Sequence, residues 1–374
     1  MGGAQRCLVE AAMGFSARGW DVRALVPSGP LAEALWPYCA GVHELPCGPF
    51  ASAEKTVSDA IRFARQLPRQ AVEIARTAAR NHSDVIYVNG PRVLPAAALG
   101  RGGRPLIYHA HWMVPQRSAA SLARAALRRS GASAIATSGV AAEWLKDCVK
   151  PDKIATIYNG VAGFGITPRP RDAIRHIAVV GRVSPEKGQL EFVRAARIVN
   201  EHMRDIRFSV VGAPIFSDGF AEDTYFQQVR TEATGLPVEF SGWTEDVGAV
   251  LSNIDLLVVP SGHIDNIPRV ILEAFAAGVP VLAFASGAIP ELIRHGETGL
   301  LVREPAAEAL AAAVLAAAGT PDRLNQIAAR AYRHWQERYT LRRFQSEISD
   351  AVEAASRRHH QRTPLASAGA SAPA

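Results

Sequence analysis

Short apolar, β-branched runs alternate along this chain with longer stretches whose apolar positions recur three and four residues apart. The clearest instance lies at residues 254–302. Residues 254–259 (IDLLVV) have the composition of a parallel strand buried on both faces. The run ends at Pro260. After a loop, Pro268 stands where a helix takes its first residue, residues 269–277 carry the helix, and Gly278 stops it. Residues 279–284 then read as the next buried strand. Ser286, Gly287 and Ala288 form a small-residue loop leading to Pro290, a second helix start with Glu291 in its opening turn. A helix start has unpaired N–H groups and a partial positive charge, so an edge with two such starts suits phosphate.

The same alternation runs through the rest of the chain. An apolar helical pattern, Cys7, Leu8, Ala11, Ala12 and Phe15, ends at Gly19 and precedes a strand at residues 22–26. Further strands are predicted at residues 84–88, 106–109, 134–137, 154–158, 176–180, 208–211 and 238–240, with helical stretches between many of them. That is the pattern of a doubly wound α/β fold. Residues 162–175, with Gly163, Gly165, Pro168 and Pro170, have linker composition. Residues 306–318 read as a helix, and residues 332–355 as one amphipathic run through Trp335, Tyr339, Leu341, Phe344, Ile348 and Val352. From about Ser356 the chain turns small, polar and proline-containing, and disorder is expected.

Composition narrows the class. With 374 residues and 48% hydrophobic content there is material for two domains, each with its own core. Cys7, Cys39, Cys47 and Cys148 show no CxxC spacing, so the spacing suggests neither a zinc site nor a disulfide framework, and a reducing cytoplasm fits. The longest apolar run, residues 309–318, is about half of the ~20 residues a membrane-spanning helix requires. The N-terminus lacks a basic start followed by an apolar core, so no signal peptide is expected. The net charge of +6 is scattered, aromatics are 7%, and no basic stripe is interleaved with them, which argues against a nucleic-acid partner. Residues 62–80 form a basic helix, with Arg62, Arg65, Arg69, Arg76 and Arg80 among Ile61, Phe63, Leu67, Val72 and Ile74. It is either a solvated face or a contact with a membrane or an acidic acceptor.

Several residue types carry candidate chemistry. Asp265 lies on the loop and Glu273 eight positions later on the helix. The surrounding VILEAFAAG is apolar on nearly every face, so Glu273 needs partners, on which roughly 2–5 kcal/mol can hang. They are either an internal cap or an ion pair with Arg269 or Arg294, or a diol such as a ribose. His109 and His111 stand just beyond a strand's end, where open α/β sheets bind ligands. Ser138 is a helix N-cap candidate and Asn159-Gly160 a turn pair. GRVSPEKGQ, residues 181–189, presents Arg182 and Lys187, two fixed cations of the kind that offset the charge of a leaving diphosphate.

Residues 258–302 resemble the signature of the retaining glycosyltransferase family numbered four, whose GT-B architecture sets two Rossmann-like domains across a cleft. Residues 107–115, 153–161 and 181–189 resemble further segments of that family. The resemblance implies that Asp265 holds donor-sugar hydroxyls, Glu273 the nucleotide ribose, Arg182 and Lys187 the diphosphate, and that His111 faces the sugar while His109 packs. It implies that Gly2 and Gly3 approach the donor phosphates, that Ile267, Pro268 and Arg269 belong to the donor site, and that Trp243 flanks the nucleobase, either stacking on it or packing. Two departures stand out: Asp265 is one methylene shorter than the family's Glu, and Pro268 replaces a common Gly and so removes one N–H. The family also begins with a strand before its Gly-Gly loop. That strand has no counterpart in the sequence, and the expectation is a start codon placed too late, the alternative a variant domain without it.

On this resemblance the expected organisation is an N-terminal acceptor-side domain at residues 1–165, a nucleotide-sugar domain at 166–334, a helix crossing back at 335–356, and a disordered tail at 357–374. The implied activity is retaining, metal-independent transfer of a sugar from a UDP- or GDP-sugar to a hydroxyl acceptor, saccharide or lipid-linked, in envelope polysaccharide or glycolipid synthesis. No other cofactor is implied. The expected location is the cytoplasm, with peripheral contact at the inner membrane face. The alternatives are a sugar-nucleotide-binding protein without turnover, motivated by Asp265, Pro268 and the absent strand, and a GT-B epimerase or phosphorylase.

Overall fold

The computed structural model describes residues 1–48, 57–114, 116–166, 168–214, 221–262 and 267–362. Asp265 lies outside the described residues.

The N-terminal half runs α1 (Gly3–Ala17), β1 (Arg23–Val26), α2 (Pro30–Leu35), β2 (Gly41–Glu44), α3 (Val57–Arg80), β3 (Ile86–Asn89), α4 (Leu94–Gly100), β4 (Leu106–Ala110), α5 (Arg117–Ser130), β5 (Ser133–Ala136), α6 (Gly139–Lys146) and β6 (Ile154–Thr156). The C-terminal half runs β7 (His176–Val180), α7 (Gln189–His202), β8 (Arg207–Val211), α8 (Ala221–Glu232), β9 (Val238–Gly242), α9 (Val247–Ser252), β10 (Leu256–Val259), α10 (Arg269–Ala276), β11 (Val281–Phe284), α11 (Ile289–Leu292) and β12 (Leu300–Val302). Three helices close the described chain: α12 (Ala307–Ala318), α13 (Pro321–Arg338) and α14 (Leu341–Arg362).

The C-terminal strands form one six-stranded parallel sheet in the order β12-β11-β10-β7-β8-β9. All four residues of β10 and of β11 are buried, as continuous apolar runs require when helices cover both faces. The order progresses one way from β7 and the other way from β10. These two strands are neighbours, paired through Leu257 and Ala178, and the loops beyond their carboxyl ends flank the switch point where such sheets bind ligands.

The N-terminal strands form two parallel sheets, β3-β4-β5-β6 and a separate β1-β2 pair, rather than one continuous sheet. α1 covers one face. Its Cys7, Ala11 and Phe15 pack with Ile107 and Ile135 of the larger sheet and with Phe344, Ile348 and Val352 of α14. Residues near the end of the chain therefore complete a core begun at its start.

Three expectations need correction. The amphipathic run at residues 332–355 is not one helix but parts of α13 and α14, broken at Tyr339 and Thr340. Val161 makes the break: its N–H donates to Tyr339 O at 2.9 Å and its carbonyl accepts from Leu341 N at 3.0 Å. The expected disorder from residue 357 also fails in part, because α14 continues to Arg362, with Glu353 paired to Arg357 one turn on. Pro268 is the residue before α10 rather than its first, with φ −60° and ψ 117°. Among the described residues, no helix is long and apolar enough to cross a membrane.

Candidate active site

Glycines hold the loops at the switch point together. Gly212, after β8, has φ +147°, and a Cβ there would stand 1.8 Å from the carbonyl oxygen of Gly181. Gly188 has φ +71°, and its Cβ would stand 2.0 Å from the carbonyl oxygen of Pro260. Only glycine allows backbone to approach backbone this closely. Gly262 N–H donates to Glu186 O at 2.9 Å, and Ser286 Oγ donates to Ser261 O at 2.5 Å. The fold thus brings three separate stretches of sequence to one edge: residues 181–189, residues 260–262 beyond β10, and the small-residue loop after β11.

Arg182 and Lys187 both lie on this edge. Arg182 is ion-paired with Glu186, and Lys187 ends the single 3₁₀ turn Pro185–Lys187. Gln189 spans the loop from inside: its Nε2 donates to Arg182 O at 2.8 Å and its Oε1 accepts from Ser184 N at 3.3 Å.

Between the halves lies a pocket of about 150 Å³ lined by residues including Arg6, Phe164, Asp246, Arg269 and Glu273. Glu273 is 7% exposed. Its partner is Arg269, whose Nε donates to Glu273 Oε1 at 3.0 Å, and Arg6 stands 3.9 Å from the same oxygen. Arg294 instead pairs with Glu297 at 3.8 Å. Arg269 turns its other two nitrogens to Glu10 of α1, at 2.8 and 2.5 Å. Burial opposes its charge, but the hydrogen bonds and charge of Glu10, joined by Glu273, outweigh this and push its pKa up. Of the other predicted donor residues, Gly2 and Gly3 form the start of α1, where Gly2 N–H donates to Gln5 Oε1 at 2.9 Å. Ile267 is buried in the core of the C-terminal half, and Trp243, just beyond β9, is 40% exposed.

On the opposite side, His109 lies within β4 rather than beyond its end, wholly buried, and meets the Tyr87 hydroxyl through Nδ1. His111 Nε2 is bonded to Asn89 Oδ1 at 2.6 Å. Burial holds the His111 imidazole down to about 4, so the ring is neutral near pH 7. Burial, and next the neighbouring His111, also push His109 well below the ordinary imidazole value.

A second carboxylate joins the halves. Glu291 of α11 accepts from the N–H groups of Gly139 and Val140 at 2.7 and 2.9 Å, and from the Tyr158 hydroxyl at 2.8 Å. It sits on the α6 N-terminus, where Ser138 also caps Ala141 N at 3.1 Å. Burial and then the Glu291 hydrogen bond push the Tyr158 pKa up, so the phenol stays a donor. Glu10 and Asn89 carried no motif in the sequence, and Tyr158 lay in the family-like segment 153–161 without being singled out; the role of each is recognised only by the distant partner that folding supplies.

Residues 1–162 match the family described as Glycosyltransferase Family 4, and residues 174–319 match Glycosyl transferases group 1. The chain belongs to the family 4 glycosyltransferases. The chain is 31% identical over 170 residues to the Escherichia coli (strain K12) protein WcaL, named for colanic acid biosynthesis, a match covering 43% of the chain and 41% of WcaL. It is 27% identical over 238 residues to a D-inositol 3-phosphate glycosyltransferase of Thermobispora bispora, covering 58% of the chain and 54% of that protein. These matches span about half the length of those relatives or less. In fold it is similar to Anabaena Alr3699/HepE, solved in complex with UDP and glucose, with TM-score 0.77 and 21% identity over 94% of this chain and 96% of that one. It is similar also to the sucrose-phosphate synthase of Thermosynechococcus elongatus, TM-score 0.77 and 20% identity over 94% and 93% of the two chains. At these identities the likeness shows the GT-B fold.

Proposed function

We propose that this glycosyltransferase moves a sugar from a nucleoside-diphosphate sugar to a hydroxyl acceptor, with retention at the anomeric carbon and without a metal ion. The observation that carries the reading is the docking of the Arg182 and Lys187 loop against Pro260 at the switch point of the C-terminal sheet. When the sugar bond breaks, negative charge gathers on the departing diphosphate. Two cations held there offset it, Arg182 by turning from its ion pair with Glu186 toward the diphosphate. A diphosphate oxygen then takes the acceptor proton on the face it is leaving, so no protein nucleophile is needed. Neutral His111, whose Nε2–H is donated to Asn89 Oδ1, accepts a hydrogen bond from a sugar hydroxyl at Nδ1, Asp265 holds the sugar's other hydroxyls, and Glu273 takes the ribose.

UDP-sugar is the favoured donor, because the similar HepE was solved with UDP-glucose. The acceptor is a saccharide or lipid-linked hydroxyl in polysaccharide or glycolipid synthesis, as the names of the relatives suggest. A cytoplasmic site of action, with peripheral membrane contact, fits these acceptors.

The test is nucleotide release across a panel of UDP- and GDP-sugars, with Glu273→Gln as control. Slow release of one nucleotide, lost in the control, supports transfer. Binding of a nucleotide sugar with no release, even with acceptors added, would show a binding protein instead.

A further inference from the structure

Cys7 of α1, His109 of β4 and His111 just beyond it converge in the N-terminal half. Their potential ligand atoms all lie within 4.8 Å of one another, and the two imidazole centroids are 4.3 Å apart. His109 Nδ1 meets the Tyr87 hydroxyl, and His111 Nε2 meets Asn89 Oδ1. Fixing one nitrogen in this way orients the other as a metal ligand. His109 Nε2 is buried and has no hydrogen-bond partner among the described residues. Among the described residues, the Cys7 thiol has one hydrogen bond, donated to Asn159 Oδ1 at 3.3 Å. The proposed transfer uses neither Cys7 nor His109, so packing alone leaves this pair of polar groups unexplained.

We propose that Cys7, His109 and His111 form a binding site for a zinc ion, which acts as an inhibitor of the enzyme and not as its cofactor. One thiolate and two neutral imidazoles are a donor set suited to zinc. Bonds of about 2.0–2.3 Å place tetrahedral ligands about 3.5 Å apart, so side-chain shifts of about 1 Å close the set. On binding, the Cys7 thiol gives its proton to solvent, its sulfur lone pair bonds the ion, and the fourth position stays open to water. The consequence for turnover rests on the role proposed for His111: a ring bound to zinc is withdrawn from the sugar.

Cobalt(II) is the probe, since a thiolate bound to cobalt gives a near-ultraviolet charge-transfer band that histidines alone do not. The full chain without an affinity tag is titrated with cobalt and then with zinc, and transfer is assayed alongside. We expect one equivalent of cobalt to produce the band, zinc to erase it, and zinc to inhibit transfer. Cys7→Ser abolishes the band and leaves transfer resistant to zinc, whereas Cys39→Ser and Cys47→Ser keep both responses. His111→Gln, which changes a partly exposed side chain and serves if Cys7→Ser fails to fold, weakens cobalt binding by about tenfold or more. Absence of the band, or its persistence in Cys7→Ser, overturns the site. A band of the expected kind with transfer indifferent to zinc leaves the site standing and overturns the role given to His111.

Discussion

Arg269 of α10 reaches across the cleft and grips Glu10 of α1 through both terminal nitrogens, at 2.8 and 2.5 Å, while its Nε holds Glu273. One guanidinium thus ties the two halves together and also positions the carboxylate assigned to the ribose. The planar fork of arginine is what permits this, and lysine could not reproduce it.

Removing one partner of a buried pair leaves the other charged and unpaired. Glu10→Ala is expected to cost about 2–3 kcal/mol, at the low end for such pairs because Glu273 remains beside Arg269. Urea unfolding measures it. The double variant Glu10→Leu with Arg269→Met should be less destabilised than the two single changes added together. Full additivity would mean that the pair contributes no coupling.

Glu291 closes the cleft from the other end, accepting from Gly139 N and Val140 N. Glu291→Gln keeps an acceptor oxygen but removes the charge facing the α6 N-terminus. The expected loss is about 1–2 kcal/mol, shrinking in high salt. Small-angle scattering should show a more open particle at low salt; an unchanged particle would mean that the domains hold together without this contact.

Gly188→Ala tests whether the cation loop must dock on Pro260. The left-handed φ alone costs an alanine about 1–2 kcal/mol. Gly235, with φ +79° and nothing within 4 Å of its would-be Cβ, supplies the control for that cost. Gly188→Ala should raise the donor KM markedly while Gly235→Ala leaves it near wild type. Equal behaviour would mean that the 2.0 Å approach to Pro260 is absorbed without moving Arg182 or Lys187.

What could be read from the sequence was local or motif-borne. β10, α10 and β11 follow from apolar runs, from Pro260 and from Gly278, and the family signature lies on the same stretch. The break between α13 and α14 was invisible because apolar positions continue through it. Its cause is Val161, paired with Tyr339 and Leu341 from far away in the chain. Glu10 was hidden for the same reason. On α1 it reads as an ordinary polar position, and only the fold sets it against Arg269, 259 residues later. The metal-like grouping was likewise missed: Cys7 lacks the CxxC spacing that signals such sites, and its companions come from β4 and the residue just beyond it.

The environment of His111 makes a prediction about pH. Burial lowers its pKa from the ordinary 6.5 to about 4. Between those values the unfolded chain takes up a proton that the folded chain refuses, so this residue's contribution to stability is present above pH 6.5 and is lost as pH falls toward about 4. His109 and His176 are shifted in the same direction, so the comparison must be made against a variant. His111→Asn should flatten the decline in stability over that interval without removing it. In turnover, the acid limb assigned to His111 should appear near pH 4, with activity flat through the range where an exposed imidazole titrates. NMR titration of the ring decides the matter. A His111 resonance moving near pH 6.5 would mean that water reaches the ring freely, and would remove the basis for a neutral hydrogen-bonding partner at the sugar.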